Sequence, residues 1–144
     1  MSIYVDTSAL AKRYVHEAAS ERFDRFVADS NDEFVLTPLI VTELVSALRK
    51  RLRAGEFDSA YLRRAEAAFD RDLRDALWTM VPVEPTAYEA ASVLIRKLNT
   101  PLAALDAIHL ASALGHGCAG IATSERQLVR AAQLCSLEVH DFSS

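Results

Sequence analysis

The stretch Ile3-Tyr4-Val5-Asp6-Thr7-Ser8-Ala9-Leu10 decides the fold that this sequence predicts. An apolar, β-favouring run that ends in a carboxylate is typical of a buried strand with an acid at its carboxyl end. In open α/β sheets, ligands bind outside the carboxyl ends of the strands. The beginning of the chain therefore predicts a central strand and places Asp6 at a binding edge.

The rest of the chain alternates short apolar runs with longer amphipathic stretches, which predicts an α/β fold with a mainly parallel sheet of about five strands. The predicted strands are residues 2–5, 34–37, 79–83, 119–122 and 137–140. The predicted helices are residues 7–14, 18–28, 38–53, 57–77, 85–98, 101 to 115 or 117, and 125–134.

Several residues predict where helices begin and end. Thr37 and Pro38 indicate the N-cap and the first residue of the helix that carries Glu43. Gly55 indicates the end of that helix, and Ser124 is a candidate cap for the last helix.

Composition and length predict one domain, covering residues 1–144. The content of 51% hydrophobic and 25% charged residues is typical of a soluble globular protein. No apolar run approaches the ~18 residues of a membrane span, and Asp6 and Lys12 interrupt the beginning of any signal peptide. Cys118 and Cys135 lack the spacing of metal ligands and are expected to be small buried hydrophobes. We therefore expect a cytoplasmic protein without a membrane partner.

The charge balance gives no general attraction to nucleic acid. The chain has 20 acidic and 16 basic residues, for a net charge of −4, so it lacks a global basic field. The excess of acids could lie in one site where bound metal would neutralise it, although any four acids would balance the count.

Four acids occupy positions from which their side chains can meet. Asp6 and Glu125 follow predicted strands, whereas Glu43 and Asp106 lie in the first two turns of predicted helices. Carboxylates that converge repel each other unless a cation such as Mg²⁺ or Mn²⁺ lies among them. Three of the acids also have a purely structural explanation: a cap for Asp6, a surface charge for Glu43 and a first-turn acid for Glu125. Asp106 has apolar neighbours, where an acid is costly unless it is paired or bound to metal.

These acids lie in four short motifs that together resemble the motifs of PIN-domain nucleases, in the same order and over nearly the whole chain. Within that superfamily, the chain is most similar to the VapC-like toxins of prokaryotic toxin–antitoxin systems. The motifs are Val5-Asp6-Thr7-Ser8-Ala9-Leu10-Ala11-Lys12, Val41-Thr42-Glu43-Leu44, Leu105-Asp106-Ala107-Ile108-His109-Leu110-Ala111-Ser112-Ala113, and Ile121-Ala122-Thr123-Ser124-Glu125.

The resemblance implies a three-layer α/β/α PIN-like domain and a Mg²⁺- or Mn²⁺-dependent endoribonuclease with one or two ions. Asp6 and Asp106 would bind the metal directly, and Glu43 would complete the site or orient water. Glu125 would act at a second metal position. The family usually has Asp at that position, and the extra methylene lets Glu125 reach about 1.5 Å further. The implied partners are an RNA substrate and a cognate VapB-like antitoxin that inserts a peptide and a basic residue into the site.

Neighbouring polar residues are predicted to support the acids. The hydroxyls of Ser8 and Thr123 either hold the carboxylates or cap helices. His109 lies one turn beyond Asp106, and a structural or supporting histidine is favoured over a catalytic base.

Two basic clusters are candidates for binding RNA phosphates. The second cluster also suits the C-terminal end of a helix. The clusters are Lys12 with Arg13, and Arg49, Lys50, Arg51 and Arg53. A third set of charges, on residues 57–77, is expected to form a solvated face or a surface for an antitoxin, and the apolar stripe of that helix suggests a homodimer. Those charges are Arg63, Arg64, Asp70, Arg71, Asp72, Arg74 and Asp75.

Two other functions compete with the ribonuclease. A PIN domain without catalysis, binding RNA or protein, is the alternative that Glu125 leaves open. A metal-dependent phosphatase or phosphotransferase of another α/β fold is disfavoured, because such enzymes usually carry a second acid near the strand-end Asp, where Thr7 and Ser8 lie here.

Overall fold

The computed structural model describes residues 1–144 and has a five-stranded sheet in which every pair of neighbouring strands is parallel. The strand order is β3-β2-β1-β4-β5, so the central strand β1 lies between β2 and β4. The strands are β1 Ser2–Val5, β2 Glu33–Leu36, β3 Thr79–Met80, β4 Gly120–Thr123 and β5 Glu138–Asp141.

Seven helices connect the strands, and the predicted α/β class with a parallel sheet is confirmed. The helices are α1 Thr7–Tyr14, α2 Ser20–Asp29, α3 Pro38–Arg53, α4 Ser59–Arg74, α5 Pro85–Lys97, α6 Ala104–Gly115 and α7 Arg126–Leu134. Contacts join α1 to α2, α3 and α4, and join α6 to α5 and α7. Connections between parallel strands in one sheet are almost always right-handed. Because the connections on the two sides of β1 run in opposite directions, the two groups of helices lie on opposite faces of the sheet.

The core lies around the central strands. Tyr4 and Val5 of β1 and all of β4 are buried, and they pack against large buried side chains from both groups of helices. Examples are Leu10, Ile40, Leu44, Leu110 and Leu128. The interior packing therefore fixes the strand ends from which the site is built.

Most predicted boundaries agree with the structure to within a few residues. The helix α3 begins at Pro38 as predicted, and Gly55 follows it with a φ of +77° that suits glycine. The predicted strand 79–83 ends at Met80, although the Val81 N–H still donates to the Leu36 carbonyl at 2.9 Å. Pro82 has no N–H with which to continue the ladder.

The predicted N-cap position of Thr37 is confirmed, whereas that of Ser124 is wrong. Thr37 occupies the N-cap position of α3, but its hydroxyl lies 3.2 Å from the Tyr4 hydroxyl and makes no capping bond. Glu125 rather than Ser124 occupies the N-cap position of α7. Cys118 is buried as expected, whereas Cys135 is only partly buried.

The long charged helix α4 differs from its prediction in two ways. It covers Ser59–Arg74 rather than 57–77, because Asp58 accepts a bond from the Tyr61 N–H at 2.8 Å and caps it. Its apolar stripe packs into the hydrophobic core of the same chain, where Leu62, Ala65 and Phe69 are buried. The stripe therefore gives no support to the predicted homodimer. None of the helices has the length and apolar character needed to span a membrane.

Candidate active site

The site lies at the carboxyl ends of the two neighbouring strands β1 and β4. Val5 pairs with Ala122 in this register, and the Asp6 N–H donates to the Ala122 carbonyl at 3.0 Å. From β1 the chain proceeds to β2 and β3 on one side, whereas β4 and β5 lie on the other. Such a switch point opens a crevice at the carboxyl edge of a parallel sheet. The helices α3 and α6 begin at the same edge, because α3 follows β2 and α6 leads into the amino end of β4.

Asp6 is held rigidly at the bottom of this crevice. Its side chain is buried, and Oδ1 accepts bonds from the Ser8 hydroxyl at 2.7 Å and the Ala9 N–H at 3.1 Å. The Thr123 hydroxyl donates to Oδ2 at 2.8 Å. Asp6 therefore caps α1 and also faces the other acids. Burial raises the pKa of Asp6, although these hydrogen bonds oppose the effect.

Glu43 is held by a chain of hydrogen bonds that runs into the core. Its Oε1 accepts a bond from the Thr7 hydroxyl at 3.1 Å and contacts Nε2 of His109. Nδ1 of His109 lies 2.8 Å from the hydroxyl of Tyr4. An imidazole that carries a proton on Nε2 donates to Glu43, and its Nδ1 shares a hydrogen bond with the Tyr4 hydroxyl. His109 is buried, and both of its ring nitrogens contact side chains of the protein.

The involvement of Tyr4 and Thr7 was not predicted. Tyr4 is wholly buried on the central strand, and burial is the main reason that its pKa lies above the ordinary value. A buried tyrosine hydroxyl usually has a hydrogen-bond partner. A tyrosine within a predicted buried strand therefore indicates that some polar group contacts its hydroxyl. The identity of that contact depends on residues far along the chain.

Asp106 carries the clearest electrostatic evidence that the four acids share one site. It lies in the first turn of α6, and its pKa is raised from 3.8 to about 6. Burial is the largest cause, followed by the negative charges of Asp6 and Glu125, with a smaller contribution from Glu43. The carboxylates therefore repel each other across a common space.

That space is a cleft of about 300 Å³ lined by all four acids. Its lining residues are Asp6, Thr7, Ser8, Glu43, Ala103, Leu105, Asp106, His109 and Glu125. In their present positions, no three of the chain's His, Cys, Asp and Glu side chains are close enough to form a metal-binding group. The donor chemistry nevertheless fits a hard divalent cation, because the acids supply oxygen ligands and a cation would relieve the repulsion that raises the pKa of Asp106.

A second cavity continues from this cleft along α1 and α3. This groove has a volume of about 460 Å³ and shares Thr7, Ser8, Glu43, Leu105 and Glu125 with the cleft. Its far end is formed by Lys12, Glu17 and Arg51. The acidic cleft and a basic pair therefore line one continuous depression.

The structure divides the predicted RNA-binding residues into two groups. Lys12 and Arg51 line the groove. The other four lie outside its lining: Arg13 pairs with Asp24 and Asp72, Arg49 pairs with Glu66, and Lys50 and Arg53 are exposed.

Asp72 does not belong to the solvated helix face on which the sequence placed it. It accepts bonds from Nε of Arg13 at 2.8 Å and from the hydroxyl of Tyr14 at 2.6 Å. Nε1 of Trp78 donates to the same hydroxyl at 2.8 Å. Burial alone would raise the pKa of Asp72, but the bonds from Arg13 and Tyr14 outweigh it and hold the pKa below 3.8. The network ties α1 to α4.

Residues 3–134 match the PIN domain family, and this range contains all four motifs. The chain belongs to the PIN domain family. The sequence matches none of the curated proteins.

Three solved structures illustrate the similarity of fold, and one of them is described as a toxin. VapC20 of Mycobacterium tuberculosis, described as a sarcin-ricin loop cleaving toxin, is 20% identical, with 90% of this chain and 94% of that chain covered and a TM-score of 0.68. VapBC2 of Rickettsia felis, bound to a promoter DNA fragment, is 12% identical, with 99% of each chain covered and a TM-score of 0.70. FitAcB of Neisseria gonorrhoeae is 17% identical, with 98% and 97% covered and a TM-score of 0.69. At these identities, the likeness shows the PIN fold alone.

In this PIN domain, Glu125 reaches the site despite its unusual type. The residue lines both the cleft and the groove, and its N–H donates to the Thr123 hydroxyl at 3.0 Å. Thr123 therefore bonds the backbone of one acid and the side chain of another, Asp6. The longer side chain of Glu125 is directed from a fixed backbone position.

Proposed function

We propose that this PIN domain is a Mg²⁺- or Mn²⁺-dependent endoribonuclease and the toxin of a toxin–antitoxin pair. The observation that carries the proposal is the single cleft lined by Asp6, Glu43, Asp106 and Glu125 at the carboxyl ends of β1 and β4. Asp6 and Asp106 would bind the metal directly, with Glu43 and Glu125 completing the site. A bound divalent metal supplies charge neutralisation for the phosphodiester and activation of the attacking water.

The hydrogen bonds around Asp6 leave one part of its carboxylate free. Each carboxylate oxygen can accept about two hydrogen bonds. Oδ1 already accepts from Ser8 and Ala9, whereas Oδ2 accepts only from Thr123. The free lone pair on Oδ2 is therefore the one that Asp6 offers to a cation, while Ser8 and Thr123 prevent the side chain from rotating.

Glu43 is prepared in a similar way. Its Oε1 has two partners, Thr7 and His109, whereas Oε2 has no hydrogen bond. Oε2 is thus available to contact the cation or to orient the attacking water. His109 and Tyr4 act behind Glu43 by fixing its orientation.

The groove beside the cleft suits the backbone of an RNA strand. Lys12 and Arg51 are the basic side chains that line it, and they lie beyond the four acids. Because the chain has a net charge of −4, attraction to RNA must come from such a local pair rather than from the whole surface. We assign to these two residues the contacts with phosphates next to the cleaved bond.

The toxin role is supported by the fold shared with VapC20 and with the complexes VapBC2 and FitAcB. A VapB-like antitoxin is the partner that this likeness favours. A peptide that carries a basic residue would match the charge of the acidic cleft.

The cleavage of a panel of structured RNAs tests the proposal. The wild-type protein should cut RNA in Mg²⁺ or Mn²⁺ and not in EDTA. Asp6→Asn and Asp106→Asn should each reduce cleavage by more than the about 10- to 100-fold expected for losing a residue that only supports a metal ligand. Glu89→Gln on α5 is the control, because Glu89 is exposed and forms no ion pair.

The competing binding function makes the opposite prediction in the same assay. A PIN domain that only binds RNA or protein would show no cleavage of any RNA in the panel. It would also bind neither metal in calorimetry. That pair of results would exclude the enzyme.

A further inference from the structure

An acidic residue, Glu17, occupies the basic end of the groove. It lies in the loop between α1 and α2 and bridges two cations that come from different helices. Nζ of Lys12 is 3.2 Å from Glu17 Oε1, and a guanidinium nitrogen of Arg51 is 2.7 Å from Glu17 Oε2. Each oxygen of the carboxylate therefore has its own cation.

The loop around Glu17 is anchored on both sides. The Glu17 N–H donates to the Ser20 hydroxyl at 2.9 Å, and this buried hydroxyl donates to the Val15 carbonyl at 3.1 Å. The neighbouring His16 N–H donates to the Tyr61 hydroxyl at 3.0 Å. Glu17 is thus presented to the cations from a fixed backbone.

The charges of this cluster do not balance. Lys12 and Arg51 have Glu17 as their only acidic partner, so the cluster carries one net positive charge. The side chains of Lys12 and Arg51 are only 13% and 29% exposed, which limits screening by solvent. By contrast, the Arg49–Glu66 pair on α3 and α4 is balanced and lies outside the groove lining.

A carboxylate held by two cations has the chemistry of a phosphate held by two cations, since both present anionic oxygens to Lys and Arg. We infer that Glu17 occupies the position of an RNA phosphate in the free protein and lowers the affinity for RNA by competing with that phosphate for Lys12 and Arg51. This inference rests on the proposed action of the cleft on RNA. It assigns to the groove a phosphate-binding position whose affinity for RNA is lowered by Glu17.

The inference predicts that removing the charge of Glu17 strengthens binding. Glu17→Gln should tighten the binding of a single-stranded RNA by about 3- to 10-fold at low salt, because one more net positive charge faces the phosphates. The plot of log affinity against log salt should become steeper by up to about 0.7, the value for one additional phosphate contact on a single strand. Lys12→Ala and Arg51→Ala should weaken binding and make that plot shallower.

The experiment is a fluorescence-anisotropy titration of a labelled RNA of about ten nucleotides. All variants are made in full-length protein that carries Asp6→Asn, with Mg²⁺ present and KCl varied from about 50 to 400 mM. Glu66→Gln and Arg49→Ala are matched controls from the balanced pair, and both should bind RNA as the parent does.

A gain of affinity is a demanding result, because a variant that merely folds poorly cannot produce it. The inference is overturned if Glu17→Gln binds no more tightly than Glu66→Gln, or if Lys12→Ala and Arg51→Ala match Arg49→Ala. If Glu17→Gln, Lys12→Ala and Arg51→Ala all weaken RNA binding equally, the inference is also overturned. The cluster would then only hold the loop in place. If the wild-type protein fails to cleave RNA while Glu17→Gln still tightens binding, the proposed catalysis fails and the phosphate position stands.

Discussion

Replacing Asp106 by Asn should stabilise the metal-free protein, because the change removes a charge from a crowded cleft. The pKa of Asp106 is raised from 3.8 to about 6 by burial and by the charges of Asp6 and Glu125. A pKa displaced by about two corresponds to about 3 kcal/mol of lost stability when the group is fully ionised. Because Asp106 is only partly buried, solvent screening reduces the effect. We therefore expect Asp106→Asn to raise the free energy of unfolding by about 1 kcal/mol.

The pH dependence of this effect has a definite sign. Below pH 3.8, both the folded and the unfolded protein carry a protonated Asp106, so its charge costs nothing. As the pH rises from 3.8 toward about 6, the unfolded chain ionises first and the wild-type protein loses stability. The advantage of Asp106→Asn should therefore be fully present near pH 8 and absent below about pH 4.

Thermal denaturation in EDTA measures the prediction directly. Near pH 8, Asp106→Asn should melt about 3 to 5 °C above the wild type. The control Glu89→Gln should melt at the same temperature as the wild type. Saturating Mg²⁺ should then reverse the order, because only the wild type retains the full set of acids that a cation stabilises. An Asp106→Asn protein that is less stable than the wild type near pH 8 in EDTA would refute the reasoning that the acids repel each other.

Three further predictions concern the cleft, the residues that support it and the network between α1 and α4. His109→Ala should lower kcat by about 10- to 100-fold with little change in KM, because the loss of the imidazole frees Glu43 to rotate. Tyr4→Phe should lower kcat in the same way by a smaller factor. For either variant, a change confined to KM or to Tm would contradict this expectation. Asp72→Asn should destabilise the protein by about 1 to 2 kcal/mol near pH 7 in urea unfolding. Because the pKa of Asp72 is lowered, this contribution is present above pH 3.8 and should be lost as the pH falls further; an undiminished difference in strong acid would be inconsistent with it. Glu125→Asp should cleave RNA at a rate within about tenfold of the wild type, whereas Glu125→Gln should lose more of the rate. Equal rates for both variants would show that the charge of Glu125 is not used.

The order of strands and helices could be predicted because each element is marked by local pattern. The apolar run before Asp6 and the buried run before Glu125 are strands, and parallel neighbours place their carboxyl ends at one edge. Proline at the start of α3 and glycine after its end predict where the helix that carries Glu43 begins and ends. These signals lie within a few residues of the features that they predict.

The contacts that support the site were not predictable in the same way. The chain from Tyr4 through His109 to Glu43 joins residues more than 60 positions apart, and no periodic pattern marks such a contact. Glu17 lies in a loop without hydrophobic periodicity, so nothing local pairs it with Lys12 and Arg51. The sequence predicts the N-cap position of Thr37 but does not reveal that its hydroxyl contacts the Tyr4 hydroxyl instead of capping the helix. Tertiary packing decided each of these cases.

The location of Mn²⁺ by anomalous scattering from crystals grown with the ion tests the central claim most directly. The account predicts a peak in the cleft in contact with Asp6 and Asp106, and predicts that crystals of Asp106→Asn lose it. A cleft without a peak at saturating Mn²⁺, or an ion bound only elsewhere on the molecule, would contradict the claim that these four carboxylates form a metal-dependent centre.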